Sequence, residues 1–163
     1  MKIDLCCGGH AKEGFIGLDI LEGGNTKIIC DLNKGILPFE DDSIDEFYEQ
    51  NSFYEIENPM QIIKECYRCL KVGGTLTFRE MYFSSHYAYT PRTKNFWNFS
   101  SARLFTKGYR DNYGWKIESI DFDTNKVPKW VVNMNRNIYE KYFSRIMPIT
   151  GITYKLKKVK KGE

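Results

Sequence analysis

The chain has 163 residues, of which 42% are hydrophobic and 28% charged, a size and balance at which one globular domain buries a sizeable core. Apolar stretches are short, and no basic segment leads into an apolar core at the N-terminus, which excludes a membrane-spanning reading and predicts a cytoplasmic protein without an export signal. Five cysteines, two of them adjacent at Cys6 and Cys7, argue against a disulfide framework. The net charge of +3 divides unevenly. Residues 1–80 carry 8 Lys and Arg against 15 Asp and Glu, and residues 81–163 carry 16 against 6, which suits a cationic ligand for the first half and an anionic one for the second.

In chain order, Lys2 to Cys6 reads as a strand running into the glycines Gly8 and Gly9. Phe15 to Leu18 and Lys27 to Cys30 read as two further strands, each followed by an aspartate, Asp19 and Asp31. Ile44 to Glu49 makes a fourth. Pro59 to Leu70 places Met60, Ile63, Tyr67 and Leu70 at helical spacing before Gly73 and Gly74, which are expected to stop the helix. Thr75 to Arg79 gives a fifth strand, Trp115 to Asp123 a sixth, Asn137 to Ile146 a helix, and Gly151 to Val159 a closing strand with lysines at its exposed edge. Residues 82–115 hold 11 aromatics, five Lys or Arg and one acid without sustained periodicity, and read as an irregular cover.

Alternating strands and helices indicate a wound α/β sheet, with ligands at the carboxyl ends of the strands. One connection departs from that plan. Only His10 to Gly14 separate the glycine pair from the second strand, whereas a parallel crossover normally takes a dozen residues or more. The first crossover helix is therefore reduced, and the C-terminal segment or a second subunit is expected to cover the sheet face left open.

Leu5-Cys6-Cys7-Gly8-Gly9, then Ile36 to Tyr48, then Leu70-Lys71-Val72-Gly73-Gly74 resemble, in order and spacing, the class I S-adenosylmethionine methyltransferases, of the type-11-like kind. The resemblance implies a Rossmann-like fold with a seven-stranded, mostly parallel sheet in one domain, residues 1–80 binding cofactor and 81–163 covering substrate. It implies S-adenosylmethionine as cofactor and S-adenosylhomocysteine as product, held by Leu5, Cys6, Cys7, Gly8, Gly9, Asp19, Ile20, Asp31, Leu32 and Asn51. Glycines let the backbone approach the ligand, and a carboxylate such as Asp19 accepts from both ribose hydroxyls. Asp31 matches the acid that accepts from the adenine amino group. A dinucleotide fingerprint, with its acid about 20 residues past the glycines, is absent.

Methyl transfer from a sulfonium depends mainly on alignment, and a base matters for a weak nucleophile. Glu55, Glu80 and His86 are the base candidates, with Tyr54, Tyr82 and Tyr87 as substrate-binding positioners. His86 to Tyr89, Phe96 to Ser100 and Asn135 to Phe143 resemble small methyltransferases of glycan clusters, which implies an oxygen or nitrogen acceptor on a small, anionic or sugar-containing molecule. Cys66 and Cys69 form a C-x-x-C inside the helix, where packing is expected and no metal site. Two other readings remain open: a non-catalytic cofactor-binding protein, and an RNA-binding or RNA-modifying protein using the aromatic, basic segment, nucleic acid being the less favoured partner. The Lys157 to Lys161 run is expected to be a solubilising end.

Overall fold

A computed structural model of the chain describes residues 1–105, 114–124 and 128–160, so Lys161 and residues 106–113 of the aromatic stretch lie outside the described residues. The sheet has seven strands: β1 (Lys2–Leu5), β2 (Ile16–Asp19), β3 (Thr26–Ile29), β4 (Ile44–Gln50), β5 (Leu70–Met81), β6 (Trp115–Asp123) and β7 (Gly151–Lys158). Their spatial order is β3-β2-β1-β4-β5-β7-β6. The first five pair in parallel, and β7 runs antiparallel to both β5 and β6. Strand order reverses between β1 and β4, which puts the switch point above Leu5 and Gln50.

Helix α1 (Pro59–Cys69) starts with Asn58 accepting from the Gln61 N–H and with Pro59 where its missing N–H costs nothing. It ends at Cys69, four residues before Gly73, because Leu70 is already extended and paired with Ile44. Pro59, Ile62, Ile63, Glu65, Cys66 and Cys69 are its buried residues, so the C-x-x-C packs against the core. Helices α2 (Lys129–Met134) and α3 (Arg136–Ile138) follow the sheet's sixth strand, and α3 continues as a wider helical turn over Tyr139–Phe143. The sequence reading missed α2.

The strand pattern explains the layering. Phe47, Leu76, Phe78, Tyr154 and Leu156 share one face by register and are fully buried, with α1 and the covering aromatics against them. The opposite face carries Glu46, Tyr48, Thr75, Thr77, Arg79, Lys155 and Lys157. Lys2 pairs with Glu46 at 2.8 Å and Lys155 with Glu118 at 3.1 Å across it. No helix occupies the connections from β1 to β2 or from β2 to β3. The expected cover by the C-terminal segment is corrected: β7 lies within the sheet and the helical run after β6 packs on Tyr82 and Phe122, on the other face, while the open face carries ion pairs that water solvates at little cost. The closing strand is corrected too. Strand β7 lies inside the sheet, and Lys158, read as part of a solubilising end, is buried with its ammonium on Asp42 and the Leu70 carbonyl.

Candidate functional site

The loop after β1 is shaped by backbone conformation. Cys6, Gly8 and Gly9 all have positive φ, at 53°, 57° and 78°. Cys6 thus occupies a conformation that suits glycine, and burial pushes its thiol up to about 12, so it stays protonated. Replacement by glycine is expected to preserve ligand affinity within about twofold, whereas Cys6→Val should destabilise by roughly 2 kcal/mol because a branched side chain resists the left-handed region. Calorimetric titration beside thermal unfolding of the two variants checks this.

Asp19 is buried and works on the same loop. Its Oδ2 accepts from the Gly8 N–H at 2.8 Å and its Oδ1 from the Leu21 N–H at 3.0 Å. Each oxygen keeps a lone pair for a ligand hydroxyl. Next along the strand ends, Asp31 Oδ1 accepts from the Asn33 N–H at 2.9 Å, and Asn33 Oδ1 accepts from the Glu57 N–H at 2.9 Å, tying the β3 loop to the β4 loop. Leu5 and Leu32 are buried, while Ile20 is exposed. A residue the sequence reading missed completes the loop. Asn25 donates its N–H to the Gly9 carbonyl at 2.8 Å, and Gly24 lies so close that a Cβ there would overlap the Gly9 oxygen.

Beneath the β4 loop sits a pair of fully buried carboxyls, Glu49 and Glu80. Glu49 Oε1 accepts from the Ser52 N–H at 2.5 Å, the Ser52 hydroxyl at 2.6 Å and the Phe53 N–H at 3.3 Å. Glu80 Oε1 accepts from the Phe53 N–H at 2.8 Å. Among the described residues their two Oε2 atoms have no other partner, and the carboxyls lie within hydrogen-bonding reach of each other. Desolvation pushes Glu49 up to about 7 and Glu80 well above its ordinary value, so the pair holds a proton between its oxygens. This corrects the reading of Glu80 as a base facing an acceptor: its carboxyl is sealed in and acts on the loop. Glu49 was not singled out, although its parity with Phe47 places it on the buried face.

Asn51, with φ at 58°, accepts from the Arg79 guanidinium, which also reaches Asp123 at 2.7 Å. Arg79 and Asp123 line a cavity of about 470 Å³ with Met81, Tyr87, Phe122, Thr124 and Thr150, at the carboxyl end of β5. A second cavity, of about 390 Å³, lies against Asp4, Tyr48, Gln50 and the Cys6–Cys7 loop on the open face. The other candidates fall on the β4 loop and the cover. Glu55 pairs with Arg92 at 2.6 Å, and the half-buried Tyr54 has its phenol pushed up to about 12 by burial and Glu55. His86 and Tyr87 are exposed and stack on each other at 3.8 Å. Tyr82 is a correction: it is fully buried, its hydroxyl donating to Glu140 at 3.1 Å, and so belongs to the core. Trp97, Phe105 and Trp115 are buried as well, which removes them from any base-stacking platform.

Residues 18–78 match a family described as a methyltransferase domain. No curated protein matches the chain. Among solved structures, a SAM-dependent methyltransferase from Archaeoglobus fulgidus is similar at 21% identity and TM-score 0.63, over 96% of this chain and 85% of that one. The protein crystallised with the Trm112 methyltransferase activator of Haloferax volcanii is similar at 18% identity and TM-score 0.64, over 99% and 83%. The [4+2]-cyclase SpnF is similar at 15% identity and TM-score 0.63, over 97% and 74%.

Proposed function

We propose, from the match of residues 18–78 to a methyltransferase-domain family and the Rossmann-like methyltransferase fold of the sheet, that the chain is an S-adenosylmethionine-dependent methyltransferase acting on an oxygen or nitrogen of a small, anionic or sugar-containing acceptor. The observation that carries the acceptor reading is the cavity beside Asn51, where Arg79 and Asp123 offer a cation and an anion side by side. A guanidinium in such a wall recognises carboxylate or phosphate bidentately, and Asp123, Thr124 and Thr150 suit hydroxyls.

The residues at the strand ends fit the cofactor, since Asp19 and Asp31 stand after neighbouring strands with spare lone pairs and Gly8, exposed, is tied to Asp19. When bound, S-adenosylmethionine supplies a methyl group already activated on a sulfonium. Asp19 would hold the ribose hydroxyls, Asp31 the adenine amino group, and Gly8 and Gly9 would let the backbone approach. Glu55 or His86 would take the proton the acceptor loses as its bond to carbon forms, with Tyr54 and Tyr87 orienting it.

SpnF shares the fold and is a cyclase, so transfer itself must be measured. Calorimetry is expected to give micromolar binding of S-adenosylmethionine, about −8 kcal/mol. Asp19→Ala should weaken it by roughly 30-fold or more, because two loop N–H groups lose their acceptor along with the ribose contact. Labelled methyl donor offered with a panel of sugar phosphates and carboxylates then reports transfer. Failure of the wild-type protein to bind would overturn the proposal. Binding without transfer to any acceptor would favour the non-catalytic reading, for which the missing crossover helices speak.

A further inference from the structure

Residues Arg136–Phe143 are helical and a turn carries the run on to Ile146, yet its polarity is reversed. Tyr139 and Ser144 point inward and are buried, whereas Ile138, Tyr142, Phe143 and Ile146 are 48%, 59%, 45% and 77% exposed. Ile138, Tyr142 and Ile146 recur every four residues, so they form one outward stripe. Backbone bonds from the Ser144 N–H to the Tyr139 carbonyl and from the Met147 N–H to the Phe143 carbonyl close the turn that follows the helix. A surface helix of a protein that meets only water places its apolar residues the other way.

The charges sort with equal clarity. Lys141 and Arg145 are exposed beside the stripe. Glu140, the only acid of the run, faces inward and accepts from the Tyr82 hydroxyl at 3.1 Å and the Ser100 hydroxyl at 2.9 Å. The outward face is therefore aromatic, aliphatic and cationic.

We propose that this face docks on an anionic lipid surface, with Tyr142, Phe143, Ile138 and Ile146 in the headgroup boundary and Lys141 and Arg145 on lipid phosphates. Among the described residues no helix is long and apolar enough to cross a membrane, and this contact is interfacial. A second copy is the poorer occupant: a twofold interface would set Lys141 and Arg145 of one copy near those of the other, and four apolar side chains fall far short of the ~20 residues a side that a stable dimer uses. The inward side of the same run packs close to the proposed acceptor cavity. The Arg136 guanidinium at the start of the run lies 5.4 Å from the rings of Phe99 and Phe122, and Phe122 lines that cavity.

Co-sedimentation with phosphatidylglycerol-containing vesicles, and with pure phosphatidylcholine vesicles, tests this without reference to methyl transfer, so it stands or falls separately from the enzymatic reading. Binding is expected to the anionic vesicles at low salt and to weaken as salt rises. Tyr142→Ser combined with Ile146→Ser should cut the partition coefficient by about tenfold or more. Each of Lys141→Ala and Arg145→Ala should cut it roughly fivefold. All these side chains are exposed, so unchanged thermal unfolding confirms that the variants fold. No binding to anionic vesicles at low salt, or equal binding by the variants, overturns the proposal. Self-association in light scattering that the same substitutions abolish, without vesicle binding, overturns it in favour of a dimer interface.

Discussion

Glu49→Gln is expected to flatten a loss of stability that the wild-type protein shows as pH rises from about 5 to about 8. Burial raises the Glu49 carboxyl from an ordinary 4.5 to about 7, so the folded state binds its proton more tightly than the unfolded chain does. Its favourable contribution is complete below the unfolded value and disappears as pH climbs through the folded one. Glu80 stays a buried carboxyl raised by desolvation in the variant, so its own share of the loss remains and the slope is reduced, not abolished; the Cys6 and Cys66 thiols and the Tyr154 phenol are shifted upward by burial and stay neutral across this range. Glutamine keeps an oxygen for Ser52 and Phe53 and offers Glu80 an N–H in place of the shared proton. Alanine is different. It strands the Ser52 N–H and hydroxyl while Phe53 keeps Glu80 as acceptor, at a cost of about 2 kcal/mol, and should loosen the loop that carries Asn51, Tyr54 and Glu55. Urea unfolding across pH for the three proteins decides the matter, and parallel profiles for wild type and Glu49→Gln would show that the pair holds no shared proton.

Gly24→Ala is expected to abolish cofactor binding and to destabilise the fold by roughly 3 kcal/mol. Two separate physical demands meet at this residue: its φ of 52° disfavours a side chain, and a Cβ would occupy the space of the Gly9 carbonyl oxygen. The clash is with backbone, so it is relieved only by moving the loop after β1 away from the loop after β2. That breaks the Asn25 to Gly9 bond and shifts Gly8 off Asp19. Gly23→Ala serves as the control. It has open space for a Cβ but also a positive φ of 141°, so it should show strain in unfolding and leave Gly9 in place, with affinity largely kept. Equal loss of binding in both variants would refute a role for the contact.

Much of the site's frame could be read from the chain. Asp19 and Asp31 follow short apolar runs, which put them at strand ends, and the structure has Asp19 ending β2 and Asp31 two residues beyond β3. Helix α1 was legible from its spacing, although the buried stripe is Ile62, Ile63, Cys66 and Cys69, shifted from the one read through Met60, Ile63, Tyr67 and Leu70. Glu49 and Glu80 were partly legible. Each follows a buried Phe by two residues, and in a strand that parity places the carboxyl among apolar side chains. What no periodicity reveals is that the two meet, since β4 and β5 pair only in the folded sheet.

Local chemistry determined the strands, the first helix, the glycine loop and the acids that end β2 and β3, because alternation, capping and positive φ act over a few residues. Tertiary structure alone decided the rest. It made the open sheet face a polar, ion-paired surface, buried Tyr82 and Lys158, closed Gly24 onto Gly9, and turned Ile138, Tyr142 and Ile146 outward. Each of those outcomes depends on which distant segments come into contact, and burial, not residue type, sets what a carboxyl, a phenol or an ammonium then does.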